Sequence, residues 1–355
     1  MTTKMFKEPG LRGFCFTKET PFGTAEAAAT TLVDFRDKPT MPKIMERDTD
    51  ADEYTGSVHR MRHNALKWQL DCVHEQRMLT YMAGLFLALV GGSVSSAAQG
   101  GTAAYKHVIE DDDTSPDLLS VTMWEDTPSY GQKEYTGIVC TKVEIEGRRG
   151  GFVILRATLR GDGAEASGDA LAGIGVANSA EVYLQWGDCD VLIGGTYSEA
   201  AGVGSIASGV SIKSQVRSFK VTIHNGGEPV FELGGDAYAS SFLKGDLKAL
   251  EVATIELEIE PSSDDPDLEY DYLLDETENV IEVKITGASM GGSEAAYYYT
   301  VDLMFPVTRS DDASIGADGA LEVGTHKFVA IKDDSENGYP IYQAQVTNKT
   351  TAYLG

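Results

Sequence analysis

The chain has 355 residues, 42% hydrophobic and 24% charged, a globular composition rather than a disordered one. Its 29 Lys and Arg against 55 Asp and Glu leave a net charge of −26, which excludes a surface that grips nucleic acid unless the few cations gather on one face. The longest apolar run, residues 82–90, is about half the ~20 residues a membrane helix needs, and no secretory signal is expected ahead of the fold.

Taken in order, residues 17–24 read as an extended piece ending in a turn. Residues 35–56 mix Pro39 and Pro42 with a charged stretch ending Asp48, Asp50, Asp52 and Glu53. They lack periodicity and read as a long loop or arm, usually functional or partner-bound in a compact domain. Leu66, Trp68, Leu70 and Cys72 then alternate with polar residues, the period of a half-buried strand. A helix is expected over 75–90. Met78, Met82, Leu85 and Leu89, widened by Leu79, Phe86 and Val90, form its apolar stripe, with Arg77, Thr80, Tyr81, Gly84 and Ala88 opposite and Gly91-Gly92 as the stop. Residues 93–102, rich in Ser, Ala and Gly, read as a loop.

Alternation resumes at Val143 and Ile145, and at Val153, Leu155, Ala157 and Leu159. It recurs at Val182, Leu184 and Trp186, at Phe219, Val221 and Ile223, at Ile255, Leu257 and Ile259, and at Ile281, Val283 and Ile285. Tyr297, Tyr299, Val301, Leu303 and Phe305 make the longest such face. One apolar face per strand predicts antiparallel sheets over a core. Asp162-Gly163, Asn225-Gly226, Asp318-Gly319 and Asn337-Gly338 are hairpin-type pairs. Residues 261–269 are acidic and contain Pro261 and Pro266, another loop.

No catalytic constellation emerges. Gly287-Ala288-Ser289-Met290-Gly291 fits G-x-S-x-G, but a strand rather than a helix follows it, so a hairpin loop is the better reading. His59 and His63 lack the Glu of a metalloprotease helix and sit among arginines. Asp111, Asp112, Asp113 and Asp117 lack calcium-loop spacing. Cys15, Cys72, Cys140 and Cys189 are far apart, without zinc spacing, and read as buried free thiols. No metal or cofactor is expected.

The order of segments resembles the tail tube proteins of long-tailed bacteriophages. The resemblance is carried by the turn at 17–24, the arm leading into Tyr54-Thr55-Gly56-Ser57-Val58, and the strand feeding the helix that ends Leu89-Val90-Gly91-Gly92. Tyr105-Lys106-His107-Val108, Leu119 to Glu125 and Glu134 to Val139 follow, then Ser218 to Asn225 and Val301 to Pro306. It spans about Phe14 to Asn348. It implies a mainly β subunit, an antiparallel β-sandwich or open barrel with one flanking α-helix and extended arms, forming one domain over 1–355. Residues 1–13 would be an N-terminal arm. Residues 35–56, with Pro39, Pro42, Met45 and Tyr54, would be an inter-subunit loop, and 110–118 and 261–269 acidic loops.

The same resemblance implies no enzyme but six-membered rings stacked into a hollow tube in the virion tail, made in the host cytoplasm. Its partners would be further copies of itself, a tape measure protein, and tail terminator and tail-tip or baseplate proteins, with no membrane. The inner tube of a contractile tail or injection system, and less so a surface-layer or fibre subunit, remain alternatives. DNA would transit the lumen unbound, because a wall of carboxylates repels phosphate. Glu144, Glu146, Glu256, Glu258, Glu260 and Glu282 are candidates for that wall, against the alternative that they are ordinary solvated strand faces.

Overall fold

The computed structural model describes residues 13–20, 22–25, 32–34, 43–50, 62–111, 118–127, 131–162, 165–167, 181–230, 241–243, 252–260, 278–318, 321–333 and 338–353. The first half contains β1 (Gly13–Lys18), β2 (Leu32–Asp34), β3 (Lys43–Asp50), β4 (Arg62–Arg77), helix α1 (Thr80–Gly91), β5 (Gly92–Ala98), β6 (Tyr105–Asp111), β7 (Ser120–Thr127), β8 (Gly131–Arg148), β9 (Ile154–Gly161) and β10 (Glu165–Ser167). Then come β11 (Cys189–Ile193), β12 (Thr196–Ala200), β13 (Val203–Ala207), β14 (Val210–Ser211), β15 (Val216–His224), β16 (Glu228–Val230) and β17 (Ser241–Leu243). The last are β18 (Ala253–Ile259), β19 (Asn279–Ser289), β20 (Tyr298–Asp318), β21 (Leu321–Ala330) and β22 (Gln343–Asn348). The chain is mainly β and antiparallel, with one α-helix among the described residues, as its alternation predicts.

Two long strands organise the sheet. Along one edge of β20, residues 300–304 pair with β22 and residues 308–318 with β21; β19 takes the other edge. The first half of β20 thus belongs to a layer ordered β14, β11, β19, β20, β22, β6, β5. The second half begins another, ordered β21, β18, β15, β8, β9, β4, β3. Strand β8 repeats the device: its second half lies in this second layer, while residues 131–139 carry β7, β1 and β2 on one edge. The alternating apolar residues of both layers, Val191, Val283, Val301 and Ala344 from the first and Ile145, Ala157, Val221 and Leu257 from the second, merge into one core cluster.

Helix α1 packs against β5, β6, β8, β20 and β22. It starts at Thr80, not at 75, because Glu75 to Arg77 stay in β4, paired with Ile154 to Arg156 of β9. The expected one-sided stripe is also corrected: eleven of its twelve residues are buried, so it is a core helix enclosed on all sides. Gly84 lies under the Tyr353 ring, and a Cβ on Gly91 would sit 2.7 Å from the Glu110 carbonyl. Its end is as expected: Gly92, at φ +94°, donates its N–H to the Ala88 carbonyl.

Other expectations change. Residues 92–98 are a strand, not a loop; a run of small residues at a sheet edge has no face to alternate. Lys43–Asp50, within the supposed arm, pairs as β3 with β4, while Pro39, Pro42 and Tyr54 lie outside the described residues. Residues 181–185 alternate but form no strand. Leu184 is buried and bonded to the Met78 and Val153 backbones, Val182 is exposed, and Trp186 opens a 3-10 turn. Of the four turn pairs, Asn225-Gly226 lies between β15 and β16, which do not pair with each other, and Asp318 ends β20 opposite Leu321 of β21, while Gly163, Gly319 and Asn337 lie outside the described residues. Ser289 lies where β19 turns towards β20, donating to the Ala295 carbonyl at 2.9 Å. Cys72, Cys140 and Cys189 are buried cysteines.

Among the described residues, strands β12 and β13 pair only with each other. Their turn has positive φ at Ala201 (+53°) and Gly202 (+77°), the twist a two-residue hairpin requires. The hairpin attaches to β22 through side chains. Gly204 donates its N–H to Gln343 Oε1 at 2.6 Å, and Gln345 Nε2 donates to the Gly204 carbonyl at 2.8 Å.

Candidate functional site

Period two in β8, β15, β18 and β21 sends apolar residues inward and leaves their partners on the outer face of the second layer. Register then decides which charges meet. Glu146 stands opposite Lys220, Lys220 opposite Glu256, Glu256 opposite Lys327, and Lys327 opposite Asp312. The row therefore alternates in sign across five strands. A second row runs from Glu75 of β4 through Arg156 of β9 to Glu144 of β8.

Side chains close these rows into a network. Arg156 reaches Glu75 at 2.6 Å and Glu146 at 2.5 Å. Lys220 reaches diagonally to Glu144 at 3.1 Å, and Lys142 approaches it at 3.6 Å. Arg149 and Arg217 both meet Glu260, at 2.8 and 3.3 Å, and Ser218 donates to Glu258 at 2.6 Å. Lys327 pairs with Asp311 at 2.7 Å. Partial burial works against the charge on Glu144, but Lys220, Lys142 and Arg156 outweigh it and hold its carboxyl below the usual range. Each such surface pair contributes only about 0–1 kcal/mol, so the network's consequence is the potential of this face, not the stability of the fold.

Five of the six candidate glutamates, Glu144, Glu146, Glu256, Glu258 and Glu260, thus share one face, accompanied by cations that sequence reading did not set beside them. Glu282 lies apart, on β19 of the other layer. It is 6% exposed, beside Lys284 (3.5 Å) and Asp302. Burial, then the Asp302 charge, push its carboxyl from 4.5 up to about 7. Met45 falls on β3 opposite Trp68. His63 is on strand β4, not on a helix, and His59 is outside the described residues.

The sheet also has open margins. Among the described residues β5 pairs only with β6, and β3 only with β4. Strand β5, Gly-Ser-Val-Ser-Ser-Ala-Ala, is largely exposed and carries no charge or proline, the devices that ordinarily guard an edge. Among the described residues no group of three His, Cys, Asp or Glu is placed to hold a metal.

The described residues thus form a mainly β sheet protein with an uncharged open edge at β5 and a charge-matched outer face. No curated protein matches the chain. The family model for phage tail tube protein matches residues 16–331, and the chain belongs to that family, a component of the virion tail.

Proposed function

We propose that the chain is the wall subunit of a phage tail tube in which copies close into hexameric rings, rings stack, and the outer face of the second layer lines a conduit for the genome. The observation that carries the lining assignment is the alternating ladder Glu146–Lys220–Glu256–Lys327–Asp312. A wall over which DNA slides must not release counterions from phosphate, since that release is what makes Lys and Arg adhesive. A ladder meets this requirement without removing cations, by flanking each with carboxylates. The uncharged β5 margin suits pairing with a neighbouring copy, and the segment 35–56 with Pro39, Pro42, Met45 and Tyr54 suits a contact between subunits. A tape measure protein inside the tube, a terminator and tip proteins at its ends, and synthesis in the host cytoplasm complete this reading.

The test replaces the carboxylates around two cations, in the double variant Glu146→Gln with Glu256→Gln. Tubes should still assemble, and they should retain duplex DNA with an affinity that falls steeply with salt. Genome ejection at the wild-type rate, with no salt-dependent retention, would remove this face from the lumen.

A further inference from the structure

Away from the ladder, the first layer brings a nucleophile, an electrophile and a carboxylic acid together. Lys284 on β19 stands directly opposite Asp302 on β20. Its Nζ is 3.3 Å from Asp302 Oδ2 and 3.5 Å from Oε1 of Glu282, two residues earlier on the same face. Both acids are buried, and Asp302 Oδ1 has no hydrogen-bond partner. The neighbours are committed elsewhere. Asp190, which faces Lys284 from β11, accepts from Ser211 at 2.5 Å. Gln345, which faces Asp302 from β22, gives its Nε2 to Gly204 and Gln343. Lys106 of β6 adds positive charge near Asp302.

We propose that Lys284 and Asp302 become joined by an intramolecular isopeptide bond, with Glu282 carrying the protons, so that β19 and β20 are covalently stapled. Within the ion pair the Lys284 ammonium passes one proton to Asp302, giving amine and carboxylic acid. Nζ attacks Asp302 Cγ, forming the C–N bond as the carbonyl electron pair moves onto oxygen. Glu282 protonates that oxygen and takes a proton from nitrogen. It then protonates a hydroxyl, which leaves as water as the C=O bond reforms, and it recovers its own proton from the new carbonyl. One water is released, nothing is oxidised or reduced, and Glu282 ends as it began.

The environment suits these roles. Burial and Asp302 keep Glu282 close to its acid form, as a proton carrier near neutral pH requires. Burial opposes the charge on Lys284, but Asp302 and Glu282 outweigh it and hold the amine charged at rest. Bond formation therefore passes through a minor neutral state and follows folding slowly, with the geometry supplied by strand pairing. The inference needs only the folded chain and does not rest on the tube reading.

Intact-mass spectrometry of the purified full-length chain, after overnight incubation at neutral pH, tests it. The expected result is a mass one water below that of the sequence, with a branched tryptic peptide joining the segments that carry Lys284 and Asp302. Lys284→Arg and Asp302→Ala should each restore the full mass. Glu282→Gln should leave the bond unformed in a chain still folded by circular dichroism. The full sequence mass in the wild-type chain, or a water loss that persists in Lys284→Arg, would overturn the proposal. Cross-linking that survives Glu282→Gln would overturn the role of Glu282.

Discussion

The Glu181 carboxylate accepts hydrogen bonds from the backbone N–H groups of Thr80 and Tyr81, capping α1 from 101 and 100 residues further along the chain. Leu79, at the N-cap position, supplies no side-chain bond of its own. A carboxylate also suits the positive end of the helix dipole. Glu181→Ala should therefore destabilise the fold by about 0.5–2 kcal/mol, the usual loss of a cap. A urea titration reads this as a lower midpoint at constant slope, and an unchanged midpoint would mean that solvent serves these two donors equally well.

At the other end of the helix, Asn225 is buried and spends its whole amide. Nδ2 donates to the Val90 carbonyl at 3.2 Å and to Cys140 at 2.9 Å, while Oδ1 accepts from Gly227 at 3.0 Å. Asn225→Ala strands buried polar groups, each at about 1–3 kcal/mol. Asn225→Asp aims a carboxylate at two carbonyls, and denaturant unfolding should rank it below the alanine variant.

Gly84 offers a contest between two effects. Alanine in a helix interior gains about 1 kcal/mol over glycine, but its Cβ would enter the Tyr353 ring. Overpacking costs about 1–3 kcal/mol, so Gly84→Ala should lower the melting temperature. Adding Tyr353→Leu should recover part of the loss, which a calorimetric double-mutant cycle would register as coupling.

His74 gives the fold an acid sensitivity. Burial holds its ring neutral, lowering its pKa from 6.5 to about 3. Between those values the unfolded chain binds one proton more than the folded chain, so stability declines as pH falls through the window, by up to about 1.4 kcal/mol per pH unit. Glu282 acts in the opposite sense. Its raised pKa contributes stability that is complete below 4.5 and lost as pH rises towards about 7. His74→Phe, placed beside Phe86, should flatten the acid limb of a stability–pH curve and leave the Glu282 limb intact. An acid limb as steep as in the parent would exclude His74 as its source.

Much of this architecture is legible in the sequence because burial on one side writes itself as alternation, as at Val153, Leu155, Ala157 and Leu159. The helix stop at Gly91-Gly92 is legible for a local steric reason. Its start is not, because Glu75 is held in β4 by β9, some eighty residues away. Strand β5 is invisible because its small residues face solvent and have no side to prefer. Glu144 and Glu146 stand out as acids on a polar face, and Arg156 and Lys220 stand in equally plain alternation. That they interleave depends on pairing register, which no local pattern records. Glu181 carries no local signal at all, since its helix lies a hundred residues upstream.

Strand β20 runs unbroken through 21 residues and is hydrogen-bonded into both layers. A load applied to either layer along this strand is shared by the other, since neither can slide without breaking a ladder in which β20 is the common rail. A subunit built this way passes strain from one layer to the other through a single backbone, a mechanical property suited to a component of the virion tail.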